Sequence, residues 1–471
     1  LPWWGDLSGR FSERDALDPL REEMDSVTLE MARLLSRRSD LARRIGEAKR
    51  GMGAPVDDGE REGALRAKVV AACGSDEEAA MASRLLNFLL NESVQVQSAA
   101  APPAATSHTA IFQEAKRLEE AGHDIVHMEV GEPDSAPSPS AAAALSAACE
   151  AGHTRYGTAL GIAELRDAAA EAESAHGTPL TRENVIVTMG ARFAIYLAIE
   201  SLLSPGDELV VIEPAWPAYA QCAMRAGVKV ARVRTTLESA WEPEISEIES
   251  AITPNTKMIA INYPNNPTGK VLPARRQAEI MGLAARRSLY VLSDEIYAPY
   301  SFTEWHSALE SGHDKTIVTQ SLSKSHAMTG FRVGYAIAPK AETLRMARLQ
   351  SLCLTCVPTP VQHAALAALR SEPPGAARET LERLRTLPPR AAGMGLEFAE
   401  PDGAMYLFAR LPRGLDGGEV ALECLRRGLA IAPGAGFGGY GPFVRLSACR
   451  EAPILARGMD ILNSVISGGG P

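Results

Sequence analysis

The sequence predicts two unlike folds in tandem: an all-α domain over residues 12–98 and an α/β domain with a largely parallel sheet over 108–471. Uninterrupted helical periodicity marks the first. Short β-branched runs alternating with helical stretches mark the second. Between them, at 99–107, lies a linker: Ser98-Ala99-Ala100-Ala101-Pro102-Pro103-Ala104-Ala105-Thr106 is small-residue, Pro-broken text.

In the first domain Leu20, Met24, Val27, Met31, Leu34, Leu35, Leu41 and Ile45 recur at three- and four-residue steps, so residues from about 17 onward form one long amphipathic helix. Gly51-Met52-Gly53-Ala54-Pro55 ends it. A short helix follows Asp57-Asp58, and a third runs from about Glu77 to Gln97. The first helix is too long for so small a core, which predicts pairing with a second chain.

Two cations share the inward face of that helix. At about 100° per residue Arg38 lies directly above Leu20, and Lys49 falls within about 20° of the same line, roughly 16 Å further along the axis. Either alone reads as a long side chain snorkelling from the edge of the stripe. Together they could close on one small polyanion. Arg21 is turned roughly 80 to 100° away and faces a neighbour.

In the second domain, polar residues gather just after the strands. Val185-Ile186-Val187-Thr188 precedes Met189-Gly190-Ala191-Arg192, and Met258-Ile259-Ala260-Ile261 precedes Asn262-Tyr263-Pro264-Asn265-Asn266. Tyr290-Val291-Leu292 precedes Ser293-Asp294-Glu295-Ile296-Tyr297, and Thr316-Ile317-Val318-Thr319 precedes Gln320-Ser321-Leu322-Ser323-Lys324. Parallel sheets collect ligands at the carboxyl edge, where Asn266, Asp294, Tyr297 and Lys324 belong. One such Lys or Asp alone is an ordinary loop residue. The set is not.

Composition narrows the function. With 46% hydrophobic and 23% charged residues the chain is globular, and a formal charge of -10 argues against coating nucleic acid or an anionic membrane. The 7 cysteines are scattered, as in a reducing cytoplasm. Cys353 and Cys356 form a C-x-x-C in apolar text with no second pair at zinc-like spacing, which weighs against a metal or redox site. No apolar run approaches the roughly 20 residues of a membrane span, and Leu1-Pro2-Trp3-Trp4-Gly5-Asp6 is not an export leader, so a cytoplasmic protein is expected.

Residues 17–97 resemble the all-helical class of chorismate mutase, an intertwined helical dimer. The resemblance rests on Arg21, Arg38, Lys49 and Arg61 at its cationic positions and on Asp58, Glu62, Ser93 and Gln97 at its polar ones. Arg61-Glu62 follows Pro55-Val56-x-Asp58, and Ser93-x-x-x-Gln97 shares a face of the third helix. It implies rearrangement of chorismate to prephenate, which needs neither nucleophile nor proton transfer, only a compact conformer and stabilised charge on the ether oxygen. Arg38, with Arg21 donated across the dimer, suits the carboxylates. Lys49 and Gln97 are the implied donors to the ether oxygen, and Glu62 the holder of the ring hydroxyl. Asp58 also fits as a helix cap.

Ser321-Leu322-Ser323-Lys324, Thr329-Gly330-Phe331-Arg332-Val333-Gly334-Tyr335, Asn266-Pro267-Thr268-Gly269 and Asp294-Glu295-x-Tyr297 resemble the class I/II aminotransferases, of pyridoxal-phosphate fold type I. The likeness runs from Gly131-Glu132-Pro133-Asp134 to Val444-Arg445-Leu446-Ser447. It implies a large domain over about 150–355 and a small one from 108–149 and 356–471. It also implies pyridoxal 5'-phosphate attached to Lys324, with Asp294 on the pyridine nitrogen and Tyr297 and Asn266 on the ring oxygen. The phosphate then sits at the helix opening after Gly190, with Ala191, Arg192, Ser321 and Arg332, and Tyr156 reaches it from the partner subunit. Trp216 stacks on the ring or is a core aromatic. Gly131, Asn266 and Arg445 are implied substrate contacts, with Arg445 on the α-carboxylate. The aspartate-specific branch takes a second Arg from the partner, and Tyr300-Ser301-Phe302-Thr303-Glu304-Trp305-His306 contains none. Ser135 and Met405 stand where an aromatic is usual, which leaves the side-chain pocket open.

The expectation is a bifunctional homodimeric enzyme of aromatic amino-acid biosynthesis that acts on small molecules. It converts chorismate to prephenate and transaminates prephenate, a derived aromatic 2-oxo acid or aspartate, with no nucleic-acid or membrane partner. Three alternatives stand beside it: a mutase-like domain that only regulates or dimerises, a pyridoxal-fold transcription regulator, and a lyase on the same fold. The regulator needs a basic recognition helix, which residues 17–97 lack.

Overall fold

The computed structural model describes residues 8–52, 59–99, 107–373 and 375–468. The chain divides into two units, 1–103 and 104–471, close to the expected boundary.

The first unit is three helices: α1 (Ser8–Gly51), α2 (Gly59–Ala71) and α3 (Asp76–Ala99). The long helix begins earlier than the periodicity indicated and passes through Pro19, which gives up one backbone bond without ending it. At about 1.5 Å per residue α1 is roughly 65 Å long, while α3 packs on it and on α2 only toward its second half. Ala42, Leu86 and Ser93 are buried there. Gly46 lets the helices meet, because a Cβ at that position would stand 2.9 Å from the Cα of Gln97. The first half of the apolar stripe has no cover in one chain: Leu20 is 61% exposed and Met24 66%.

The second unit opens with α4 (His108–Glu120), whose start is capped by Ser107 accepting from the Ala110 N–H. Its strands in chain order are β1 (Val126–His127), β2 (Val185–Thr188), β3 (Glu208–Glu213), β4 (Lys229–Arg234), β5 (Thr256–Asn262), β6 (Tyr290–Asp294) and β7 (Thr316–Ser321). They continue with β8 (Gly334–Ile337), β9 (Glu397–Phe398), β10 (Tyr406–Arg410), β11 (Leu429–Ala430), β12 (Ala432–Pro433) and β13 (Phe443–Ser447). The large sheet has the order β2-β8-β7-β6-β5-β3-β4, and only β8 runs against the rest. Alternate residues feed two cores. Ile259 and Ile261 point into one face, Met258 and Ala260 into the other. Burial on both faces explains the near-continuous apolar runs in the sequence.

The small sheet β12-β13-β10-β9 is antiparallel and packs with α4 and the C-terminal helix Ala452–Ile466 around a core of its own. The expected division between large and small domains needs correction here. Helices Pro139–Glu150 and Thr359–Leu369 pack against each other, and Ala141, Ala364, Ala365 and Ala368 join the core of the large sheet. Small alanine faces let these two helices approach closely, which overrides their position in the chain. Among the described residues no helix is long and apolar enough to cross a membrane.

One buried acid behind the sheet has a stability consequence. Glu295 accepts from Ser293 Oγ (2.8 Å), Ser307 Oγ (2.8 Å) and the Ala308 N–H (2.9 Å), yet burial, with the nearby Glu173 charge, pushes its pKa up to about 8. The fold therefore favours the neutral carboxyl, and the stability this confers is full in acid and declines as pH climbs from the usual carboxylate range toward about 8. Glu295→Gln, permanently neutral, should flatten that decline in urea-unfolding midpoints measured from pH 5 to 9. It should leave stability at pH 5 within about 1 kcal/mol of wild type.

Candidate active sites

The carboxyl ends of β2, β5, β6 and β7 open into a cavity of about 310 Å³. Its lining includes Gly131, Ala191, Arg192, Trp216, Asn266, Asp294, Tyr297, Ser321, Lys324, Arg332 and Arg445, all expected from the sequence.

Asp294 ends β6 with 1% of its surface exposed. Its carboxylate accepts from the Tyr219 hydroxyl at 2.6 Å and from Thr319 Oγ1 at 3.1 Å. Burial raises its pKa to about 6, while those two bonds, the Ile296 N–H and the Lys324 charge hold it back from rising further. At neutral pH it is an anion in a nearly dry site. Asn262 steadies the strand end by donating Nδ2–H to the Asp294 carbonyl at 2.7 Å.

Lys324 sits in the helical turn Leu322–Ser325, begun by Ser321, whose Oγ accepts from the Ser323 N–H at 3.1 Å. Its ε-amino group donates to the Gly131 carbonyl, and loss of hydration lowers its pKa. Gly131 cannot be larger, since a Cβ there would run into the Tyr406 hydroxyl. Tyr300 donates its hydroxyl to the Lys324 carbonyl at 2.9 Å, which fixes the turn from below.

Arg445 on β13 is 2% exposed and lies 4.3 Å over the Tyr406 ring and 4.9 Å over that of Phe437. It donates to Asn266 Oδ1 at 2.7 Å and to the Glu129 carbonyl. Asn266 is thus engaged with Arg445, and the Tyr297 hydroxyl meets that of Tyr406 at 2.7 Å. Opposite, Gly190 caps the helix Ala191–Leu202 at φ 77 and ψ 169, a conformation essentially reserved for glycine, and a Cβ there would stand 3.1 Å from Arg332 Nη2. This helix start, which has no side-chain cap, and the Arg332 guanidinium together are of the kind that could hold an anion. Trp216 carries the Arg192 guanidinium 4.6 Å over its ring and lines the cavity, while it also packs against the core beside Tyr219. Tyr156 does not line the cavity and is 90% exposed.

The first unit has its own cavity of about 260 Å³, where Arg38, Lys49, Arg61, Glu62, Ser93 and Gln97 meet over Leu41, Ile45, Leu65 and Leu90. Arg38 donates to the Leu89 carbonyl at 2.6 Å and to Ser93 Oγ. Arg21 lies outside, paired with Asp18 at 3.1 Å on the surface. Asp58 falls outside the described residues.

Residues 123–455 match the family Aminotransferase class I and II. The chain belongs to that family. Residues 20–98 match Chorismate mutase type II, so this aminotransferase, a transferase, carries an isomerase-family domain in front. An aspartate/prephenate aminotransferase from Thermus thermophilus is 34% identical over 367 residues, covering 76% of this chain and 94% of that one. An aspartate aminotransferase from Thermotoga maritima is 34% identical over 358 residues, covering 75% and 94%. Among solved structures, the Thermus thermophilus aspartate aminotransferase with maleate superposes with a TM-score of 0.73 at 32% identity, covering 76% of this chain and 96% of that one.

Several site residues of the aminotransferase were not foreseen. Tyr219, three positions after Trp216, reads in sequence as a helix aromatic, and only the fold aims its hydroxyl at Asp294. Tyr406, the first residue of β10, lines the cavity, whereas its buried neighbour Met405 does not. His108 reaches the cavity from the start of α4 and shares the Glu129 carbonyl with Arg445, its Nε2 lying 2.9 Å from that oxygen.

Removing the Tyr219 hydroxyl deletes a donor to the ionised Asp294, so its pKa should climb. In Tyr219→Phe the acid limb of the pH–rate profile should move upward by on the order of one unit. Asp294→Asn should abolish transamination, while the cofactor-free protein at pH 8, no longer burying a charge, gains up to about 3 kcal/mol by chemical denaturation.

Proposed function

We propose that the chain forms prephenate from chorismate in its helical unit and aminates prephenate in its larger unit, with aspartate or glutamate as donor. The observation that carries this is Arg192. The cavity already holds one guanidinium for an α-carboxylate, Arg445, and a second cation stands at its mouth with no carboxylate partner among the described residues. Two separated cations select a dicarboxylate. Prephenate is one, and so are both proposed donors; the Thermus relatives, with prephenate in one name and the dicarboxylate maleate in one title, support the reading.

In the helical unit, Arg38 and Lys49 hold the dianion in its folded conformer, joined by Arg21 of a second copy, and Lys49 and Gln97 donate to the ether oxygen as charge develops. Glu62 orients the ring hydroxyl, and Arg61 and Ser93 complete the polar wall.

The family implies pyridoxal phosphate in the larger unit, and the side chains there fit it. A buried anion faces the place for a ring nitrogen, an indole offers a flat wall, and a capped helix start with Arg332 suits a phosphate. Bound there, the cofactor supplies a ring that withdraws electrons from the substrate Cα. Asp294 keeps the proton on the ring nitrogen. Lys324, its ammonium made more acidic by burial, takes the Cα proton as a free amine. Arg445, backed by Asn266, orients the α-carboxylate, and Arg192 the distal one. Exposed Tyr156 and Arg21, both outside the cavities of their own chain, and the uncovered α1 stripe favour a homodimer with shared sites.

The full chain incubated with chorismate, pyridoxal phosphate and aspartate or glutamate should yield arogenate by mass; phenylalanine or tyrosine instead would overturn the order of steps. Arg38→Ala should lower mutase turnover at least about 100-fold and spare transamination. Arg192→Leu should cut kcat/KM for prephenate roughly 10- to 100-fold and leave phenylpyruvate within about threefold.

A further inference from the structure

We infer that Cys353 and Cys356 form a peroxide-oxidisable dithiol pair that controls the loop carrying Tyr156. The functional consequence rests on the reading that Tyr156 serves a cofactor phosphate; the structural one does not. The helix Lys340–Leu354 ends in an unusual turn. Thr355 has φ 65 and ψ -66, and the Cys356 N–H donates to the Leu354 carbonyl at 2.7 Å, which closes a three-residue γ-turn of the rare kind. A β-branched residue at positive φ is strained and persists only when its surroundings over-determine it. This tight turn reverses the chain between Cys356 and the exposed Cys353, which stands three residues earlier in the last helical turn.

What the strained turn holds in place is the Cys356 sulfur. Half-buried Cys356 Sγ accepts from the Gly157 N–H at 3.3 Å, and Thr359 Oγ1 donates to the Arg155 carbonyl, also at 3.3 Å. These two bonds bracket Tyr156 on either side. The loop there has neither helix nor strand, and the Tyr156 ring, 90% exposed, makes no burial that would hold it within its own chain. Thr158 bonds within the loop to Gly161, and a tie from outside it, Gln350 Nε2 to the Ala159 carbonyl at 2.6 Å, lies three residues away. Within one chain the Cys356 sulfur is therefore one of two ties that flank Tyr156.

Hydrogen peroxide, taking two electrons, converts one thiol to a sulfenic acid with release of one water. The other thiol then attacks that sulfur, forms the S–S bond and expels a second water. The two thiol hydrogens end in water and the peroxide is reduced. A disulfide to Cys353 turns the Cys356 sulfur away from Gly157 and removes one of the two bonds that bracket Tyr156. Dithiothreitol reduces the disulfide by thiol exchange, ending as its own cyclic disulfide, and restores the bond.

The test uses the full-length holoenzyme, titrated with hydrogen peroxide. Mass mapping should find the 353–356 linkage, tryptic cleavage after Arg155 should rise several-fold with or without cofactor, and the Kd for pyridoxal phosphate should weaken on the order of tenfold, all reversed by dithiothreitol. Cys353→Ser should keep full transaminase activity and resist all three changes. The inference is overturned if no 353–356 linkage forms, if the linkage leaves cleavage after Arg155 unchanged, or if Cys353→Ser responds like wild type. A reduced protein that binds no pyridoxal phosphate would instead defeat the reading of the site, and the cleavage assay would still decide the pair.

Discussion

A carboxylate stripped of water stays charged only if its neighbours donate to it, and the larger unit is arranged around meeting that condition at Asp294. Tyr219 and Thr319 supply the donors, the Lys324 ammonium supplies opposite charge, and the strand end is clamped by Asn262. The price is a pKa near 6, still low enough for an anion at neutral pH. Asn266, Tyr297 and Ser321 take their positions from the same carboxyl edge of the large sheet, where parallel strands end together, while Arg445 and Tyr406 reach the cavity from the small sheet.

The second constraint is the backbone of one short segment. The Glu129 carbonyl receives Arg445 and faces His108 Nε2, while its side chain meets His127 Nδ1 at 2.8 Å. Two residues on, the Gly131 carbonyl receives Lys324 in a gap only glycine leaves beside Tyr406. A few peptide groups thereby set the distance between the carboxylate clamp and the reactive amine. In the helical unit the equivalent device is Gly46, which draws α3 close enough for Gln97 to share a cavity with Arg38 and Lys49.

Much of this was readable from residues alone, for physical reasons that also explain the gaps. Helical angle put Arg38 and Lys49 on one face and Arg21 on another, and they lie so, because a long helix is governed by local geometry. Strand ends marked Asp294, Asn266 and Lys324, since a parallel sheet exposes only its edges. Tyr219, Tyr406 and His108 escaped, because each reaches the cavity through packing between elements far apart in the chain. Asn266 reads in sequence as a donor to the cofactor ring, and the contact that local pattern does not reveal is its amide oxygen accepting from Arg445 across the two lobes. The lobe boundary was misjudged for the same reason: alanine-rich helices 139–150 and 359–369 join by close contact that no local pattern announces.

The most direct measurement is borohydride reduction of the purified full chain after incubation with pyridoxal phosphate, followed by peptide mass mapping. The account predicts that the reduced cofactor is found on Lys324, and that Lys324→Ala neither takes the label nor shows visible absorbance from a lysine-bound cofactor. Label on another lysine, or a Lys324→Ala protein that keeps that absorbance, would contradict it.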